Sequence, residues 1–138
     1  MLQGERYGCI QRISPLQQTM LFDLAYLLTG TDAMQAADRD GAEVRSDGSY
    51  VANRNAFLRE IALDPDVEVV LIDWDECPPC DVTLVTDLDL FANVIDTSID
   101  EGGNQVVIEG RTYGGAGSLY RLTLESGVVV RIEEQPPA

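Results

Sequence analysis

The spacing of apolar residues changes along the chain, and the change predicts helices in the first half and strands in the second. RYGCIQRI, residues 6 to 13, alternates loosely and reads as a short opening strand. A helical signal follows. Ser14 stands as an N-cap, Pro15 at the first helical position and Gln17 at the third, a capping-box arrangement. Leu16, Met20, Leu24, Leu27 and Leu28 then form one apolar face, and Gly30 closes the helix. Residues 31 to 48 offer at most a short helix ending near Gly41, then a polar turn. YVANRNAFLREIAL is again helical in spacing, with Val51, Phe57, Leu58 and Ile61 as core contacts and a stop at Asp64-Pro65.

Beyond Pro65 the composition turns to β-branched residues. VEVVLIDW is nearly continuously apolar, which suits a strand covered on both faces. DVTLVT, residues 81 to 86, reads as a second strand, and the two prolines between them make the turn. Thr86 can cap a helix whose apolar positions are Leu90, Phe91, Val94, Ile95 and Ile99, with a stop at Gly102-Gly103. NQVVIEGRTY, SLYRLTLE and VVVRIEE read as three strands joined by GGAG and by Ser126-Gly127, with residues 135–138 a flexible tail. The expectation is one compact α+β domain over residues 1–138, a mainly antiparallel sheet of about five strands with about three helices packed on one face.

At 138 residues with a hydrophobic share of 45%, the chain can bury a proper core without staples. Its charge restricts its partners. A net charge of −15 repels the phosphate backbone of nucleic acid and the surface of anionic membranes, so neither is expected as a direct ligand. All nine basic residues are arginine, and there is no lysine or histidine. That removes the phosphate-loop lysine, Schiff-base chemistry, the imidazole general base and the usual zinc ligand. A coding bias or adaptation to salt accounts for the composition as simply as function does. No apolar run approaches the roughly 18 residues of a membrane helix, and the start of the chain shows no secretory signal. Three cysteines are too few for a disulfide framework, so a reducing cytoplasm is the expected location. Nothing in the sequence sets the oligomeric state.

The segment from Asp73 to Asp81 gathers the chemical candidates. Cys77 and Cys80, a possible redox pair, share the spacing of thioredoxin-like oxidoreductases, where a helix N-terminus lowers the thiol pKa. Here strand-like residues follow, Asp81 would raise the pKa, and no later proline outside the tail is available for a substrate-binding loop. A structural turn, able to form an incidental disulfide, is the better reading. Zinc would need Cys9 and a carboxylate to complete its ligands, so no metal and no cofactor is expected. Asp73, Asp75 and Glu76 end a hydrophobic strand in a way similar to the start of haloacid dehalogenase-like enzymes, though that motif opens the chain in such phosphatases. On strand alternation Asp73 and Asp75 point to one side and Trp74 to the other, a solvated rim. GGAG, with no lysine after it, suits a flexible hairpin loop better than a phosphate cradle. Arg111, Arg121 and Arg131 read as outward positions paired with Glu109, Glu125 and Glu133.

The acidic residues are concentrated. Twelve carboxylates, from Asp64 to Glu101, lie in the arginine-free interval between Arg59 and Arg111. Solubility explains such a surface, and so does steering toward a positively charged protein. The expected function is a small acidic protein-binding domain, an inhibitor or immunity-type protein that neutralises a basic protein partner. Its candidate contact residues are Asp73, Asp75, Glu76, Asp81, Asp87 and Asp89. An accessory subunit of a larger assembly ranks second. A metal-dependent or thiol enzyme centred on residues 73–81 ranks last, so no catalytic residue is expected.

Overall fold

The computed structural model describes residues 4–45, 48–52 and 58–136. Strands occupy both halves of the chain: β1 (Gly4–Ser14), β2 (Thr19–Leu28), β3 (Tyr50–Ala52), β4 (Leu58–Ile72), β5 (Thr83–Thr86), β6 (Val106–Ile108), β7 (Arg111–Tyr113), β8 (Tyr120–Glu125) and β9 (Val128–Glu134). The α-helices are α1 (Gly30–Arg39) and α2 (Leu88–Asp100), and short 3-10 turns cover Trp74–Glu76 and Gly115–Gly117. The mixed α+β class stands, with two α-helices among the described residues in place of about three.

The expected helix from Ser14 to Gly30 is instead the turn and second strand of a hairpin, with Tyr7 opposite Ala25 and Ser14 opposite Thr19. The reason lies in an ambiguity of spacing. Residues 16, 20, 24 and 28 are four apart, which fits a helical face and is also an even multiple of the strand period. Phe22, between two of them, is fully buried, whereas Leu16 is 95% exposed in the turn. The capping signal is shared as well: Ser14 Oγ accepts the Gln17 amide at 3.4 Å, the same local bond that begins a helix or closes a turn. Gly8 admits this packing, because a Cβ there would come within 2.6 Å of the Phe22 ring.

The second expected helix, from Tyr50 to Leu63, is corrected in the same way. Tyr50–Ala52 pairs with the end of β2, and Leu58 begins the fifteen-residue β4. Val51 is half-buried, Leu58 is exposed and Ile61 is buried; Phe57 lies outside the described residues. Asp64-Pro65 does not end the element. It sits where the β4–β9 register shifts between Leu63 and Glu68, a bulge that tolerates a residue without an amide hydrogen. The Asp66 amide donates to Asp64 Oδ1 at 2.8 Å and so fixes the bend. The short helix ending near Gly41 is present as α1, with Gly41 at φ +67°.

Five strands close into a barrel-like ring: β1 pairs with β2 and β8, β8 with β9, β9 with β4, and β4 with β2. Every pairing in the ring is antiparallel except β4–β9. β3 extends the sheet beyond β2, and β5 extends it beyond β4. The expected open sheet with helices on one face is therefore replaced by a closed ring. Ile10, Met20, Phe22, Leu122, Val129 and Ile132 belong to its buried core. α2 packs against β1 and β4, and its Phe91 meets Tyr120 edge-on at 5.5 Å and 64°. α1 contacts β2 and β3. Asp87, and not Thr86, caps α2, its carboxylate accepting the Leu90 amide at 2.7 Å. NQVVIEGRTY is likewise two strands. β6 and β7 form a separate hairpin turned by Glu109 and Gly110, both at positive φ.

No helix among the described residues is long and apolar enough to cross a membrane. The hairpin assignment predicts unequal effects of two substitutions in equilibrium urea unfolding. Phe22→Ala should lower stability by about 3–5 kcal/mol, and Leu16→Ala by no more than about 0.5 kcal/mol. A costly Leu16→Ala would restore the helical face.

Candidate functional site

The carboxylates singled out in the sequence gather around β5. At the β5 end that adjoins Ile72, the strand VVLIDW stops at Ile72 and the chain turns through Trp74–Glu76, so the expected alternation of Asp73, Trp74 and Asp75 does not occur. Asp73 caps this turn, with Oδ1 accepting the Asp75 amide at 3.1 Å. It is buried, and its Oδ2 lies 3.4 Å from Arg111 Nη1. Asp75 is exposed and accepts the Thr112 amide at 3.3 Å, so the β6–β7 hairpin is pinned to the turn. Glu76 and Asp81 are exposed at the same end. Asp87 and Asp89 are exposed at the other end, where α2 begins, near Glu68 on β4. Asp73 is thus engaged internally, and five of the six candidates remain on the surface.

A buried polar cluster supports the rim from below. Glu134, the last residue of β9, is 6% exposed. Its Oε1 accepts the Ile72 amide at 2.8 Å; its Oε2 accepts Trp74 Nε1 at 3.1 Å and Ser118 Oγ at 2.5 Å. The end of β4, the acidic turn and the Gly115–Gly117 turn thereby share one carboxylate. Burial raises the Glu134 pKa above the usual carboxyl range, against the opposing pull of the Ser118, Ile72 and Trp74 hydrogen bonds. Tyr120 is fully buried and donates to the Gly115 carbonyl at 2.7 Å. Its phenol is pushed well above its ordinary pKa by burial and then by Glu134.

The glycines of GGAG are packed, which corrects the expectation of a flexible loop. A Cβ at Gly114 would strike Glu134, Ser118 and Trp74, and one at Gly115 would strike Ser98. The Ala116 amide donates to Ser98 Oγ at 2.8 Å, tying the turn to α2. Glycine is required here by close approach.

Cys77 and Cys80 are joined by a disulfide across the Pro-Pro turn. The residues that follow lead into β5, and α2 begins only at Leu88, so Cys80 is not followed by the helix that the thioredoxin-like arrangement requires. Cys9 has a thiol pKa raised by burial and by Asp23, which keeps it protonated. Asp73, Asp75, Glu76, Glu109 and Arg111 line a shallow depression of about 280 Å³. Among the described residues, no group of three His, Cys, Asp or Glu side chains is arranged to hold a metal ion.

The arginine pairings differ in detail from expectation. Arg121 pairs with Glu133 and Glu5, where Glu125 was expected, and Arg111 pairs with Asp73 instead of Glu109. Arg131 pairs with Glu133 as expected, and also with Glu68 at 3.4 Å. No family model matches the chain, and no curated protein or solved structure matches it either.

Glu134 is the important residue that the sequence reading missed. From Ile132 onward strict alternation places residue 134 on the core side, and that phase was the available signal. Glu134→Ala should lower stability by about 3 kcal/mol, because three donors lose their acceptor. A pH series adds a second test. With its folded pKa raised, Glu134 contributes stability that is full below the ordinary glutamate pKa of about 4.3 and is lost as pH rises through the folded value. Wild-type stability relative to Glu134→Gln should therefore fall as pH rises above the ordinary glutamate value and through the raised folded one. A constant difference would show that the carboxyl is unperturbed.

Proposed function

We propose that this chain is an acidic protein-binding domain that engages a basic protein by electrostatic and shape complementarity, in the manner of an inhibitor or immunity protein covering a partner's surface. One observation carries the reading: exposed Asp75, Glu76 and Asp81 at one end of β5 and exposed Asp87 and Asp89 at the other. Two arginines of the later strands are already engaged by other carboxylates. Arg111 is engaged by Asp73, and Arg131 by Glu68 and Glu133. Closely set carboxylates of one sign repel each other, and a cationic surface relieves that repulsion while speeding encounter.

The support beneath the rim favours recognition over flexible solvation. Asp75 is held by the Thr112 amide, Asp87 by its capping bond to Leu90, and the turn between β4 and β5 by the Cys77–Cys80 disulfide. Side chains held in place lose less conformational freedom on binding. The same charge disfavours nucleic acid and anionic lipid as ligands.

Affinity capture from the source lysate tests the proposal, with a variant carrying Asp75→Asn, Glu76→Gln, Asp81→Asn, Asp87→Asn and Asp89→Asn as control. The expected result is a stoichiometric basic protein retained at about 0.05 M salt and released by about 0.5 M. The variant should retain at least about tenfold less of it. Capture that ignores both salt and variant would contradict the electrostatic reading.

A further inference from the structure

β5 lies at the edge of the sheet, hydrogen-bonded to β4 along one side. Thr83, Leu84, Val85 and Thr86 stand opposite Ile72, Leu71, Val70 and Val69 of β4, and the Asp73 amide extends the ladder to the Val82 carbonyl at 2.9 Å. Among the described residues, no strand pairs with its other side. Val85 is 73% exposed and Val82 is 42% exposed. Such an edge offers unmade backbone hydrogen bonds to any extended chain that reaches it.

Edge strands are commonly protected by a charge, a proline or a bulge within the strand. Val82–Thr86 contains none of these, and four of its five residues are β-branched. The charges stand at the ends, as Asp81 and Asp87. Five residues lie between them, and six steps of extended chain set them roughly 20 Å apart. This placement discriminates between occupants. A second copy paired antiparallel about Leu84 would bring its Asp87 opposite Asp81 and its Asp81 opposite Asp87, two like-charge contacts that disfavour self-pairing. A strand with a positive residue at each end would make two opposite-charge contacts in the same register.

We infer that the β5 edge is the docking site for an extended segment of the basic partner, one that adds a strand to the sheet and carries an arginine or lysine at each end of about five uncharged residues. This inference rests on the reading of the chain as an acidic binding protein, and adds where and in what conformation the partner binds. Backbone hydrogen bonds along β5 supply affinity, Asp81 and Asp87 set the register, and the side chain of Val85 meets an apolar group on the incoming strand.

The probe is the blocked heptapeptide Arg-Thr-Val-Thr-Val-Thr-Arg, titrated to about 2 mM into the isotope-labelled full chain at low salt and followed by amide NMR. Shift changes should centre on residues 81–87, and the outward amides of β5 should exchange at least about tenfold more slowly in the complex. Methylating alternate peptide nitrogens should abolish that protection, as should replacing both terminal arginines by glutamate. The variant Asp81→Asn/Asp87→Asn keeps an N-cap on α2, because asparagine caps as aspartate does, and should weaken binding at least about fivefold. Absent binding, shifts centred elsewhere, or equal binding of the methylated peptide would overturn the edge assignment. Salt-sensitive capture by the acidic rim together with a silent β5 would leave the broader reading standing, and loss of both would remove it as well.

Discussion

Closure of the ring depends on one strand serving several partners. β4 pairs with β2 through its first residues, then with β9 in parallel and with β5 on its other side. A straight strand cannot change neighbours in this way without a break in its ladder. The bulge at Asp64–Val67 supplies the break, and Pro65 sits in it without a missing hydrogen bond to compensate. The parallel β4–β9 pairing then seals what would otherwise be an open sheet, and buries Leu63, Val69, Leu71, Val129 and Ile132 in one core.

What the closed ring leaves outside it is as important as what it encloses. Closure removes free edges from the five ring strands, so the exposed edge of β5 is a property of the extension beyond β4. The acidic turn is joined to the barrel by Glu134, which gathers the Ile72 amide, Trp74 and Ser118 at the end of β9. A buried carboxylate with three donors is a rigid joint between the end of β9 and the turn that Asp73 and Asp75 occupy. The disulfide constrains the far side of the same turn. The acidic rim is consequently mounted on the core.

The second half of the chain was largely legible in the sequence, because its strands are rich in β-branched residues and bounded by glycine or proline. β4 beyond Pro65, β5, α2, β8 and β9 all lie where the residue pattern put them. The first half misled for a definite reason. Leucines four apart satisfy both periods, and Ser14 bonds the Gln17 amide in a turn as it would at a helix start. Ring closure is a long-range outcome that no local window contains. The candidate carboxylates were legible as a group, but Asp73's internal engagement by Arg111 and the role of Glu134 depend on strand register.

β4 closes a five-stranded ring and, among the described residues, leaves β5 open along one side. Native-state amide hydrogen exchange on the full chain tests this arrangement most directly. The slowest exchange is expected in the paired amides of β4, β8 and β9, with alternating protection along β5 and rapid exchange of its outward amides. Continuous helix-like protection across residues 15–29, or uniformly slow exchange throughout β5, would contradict it.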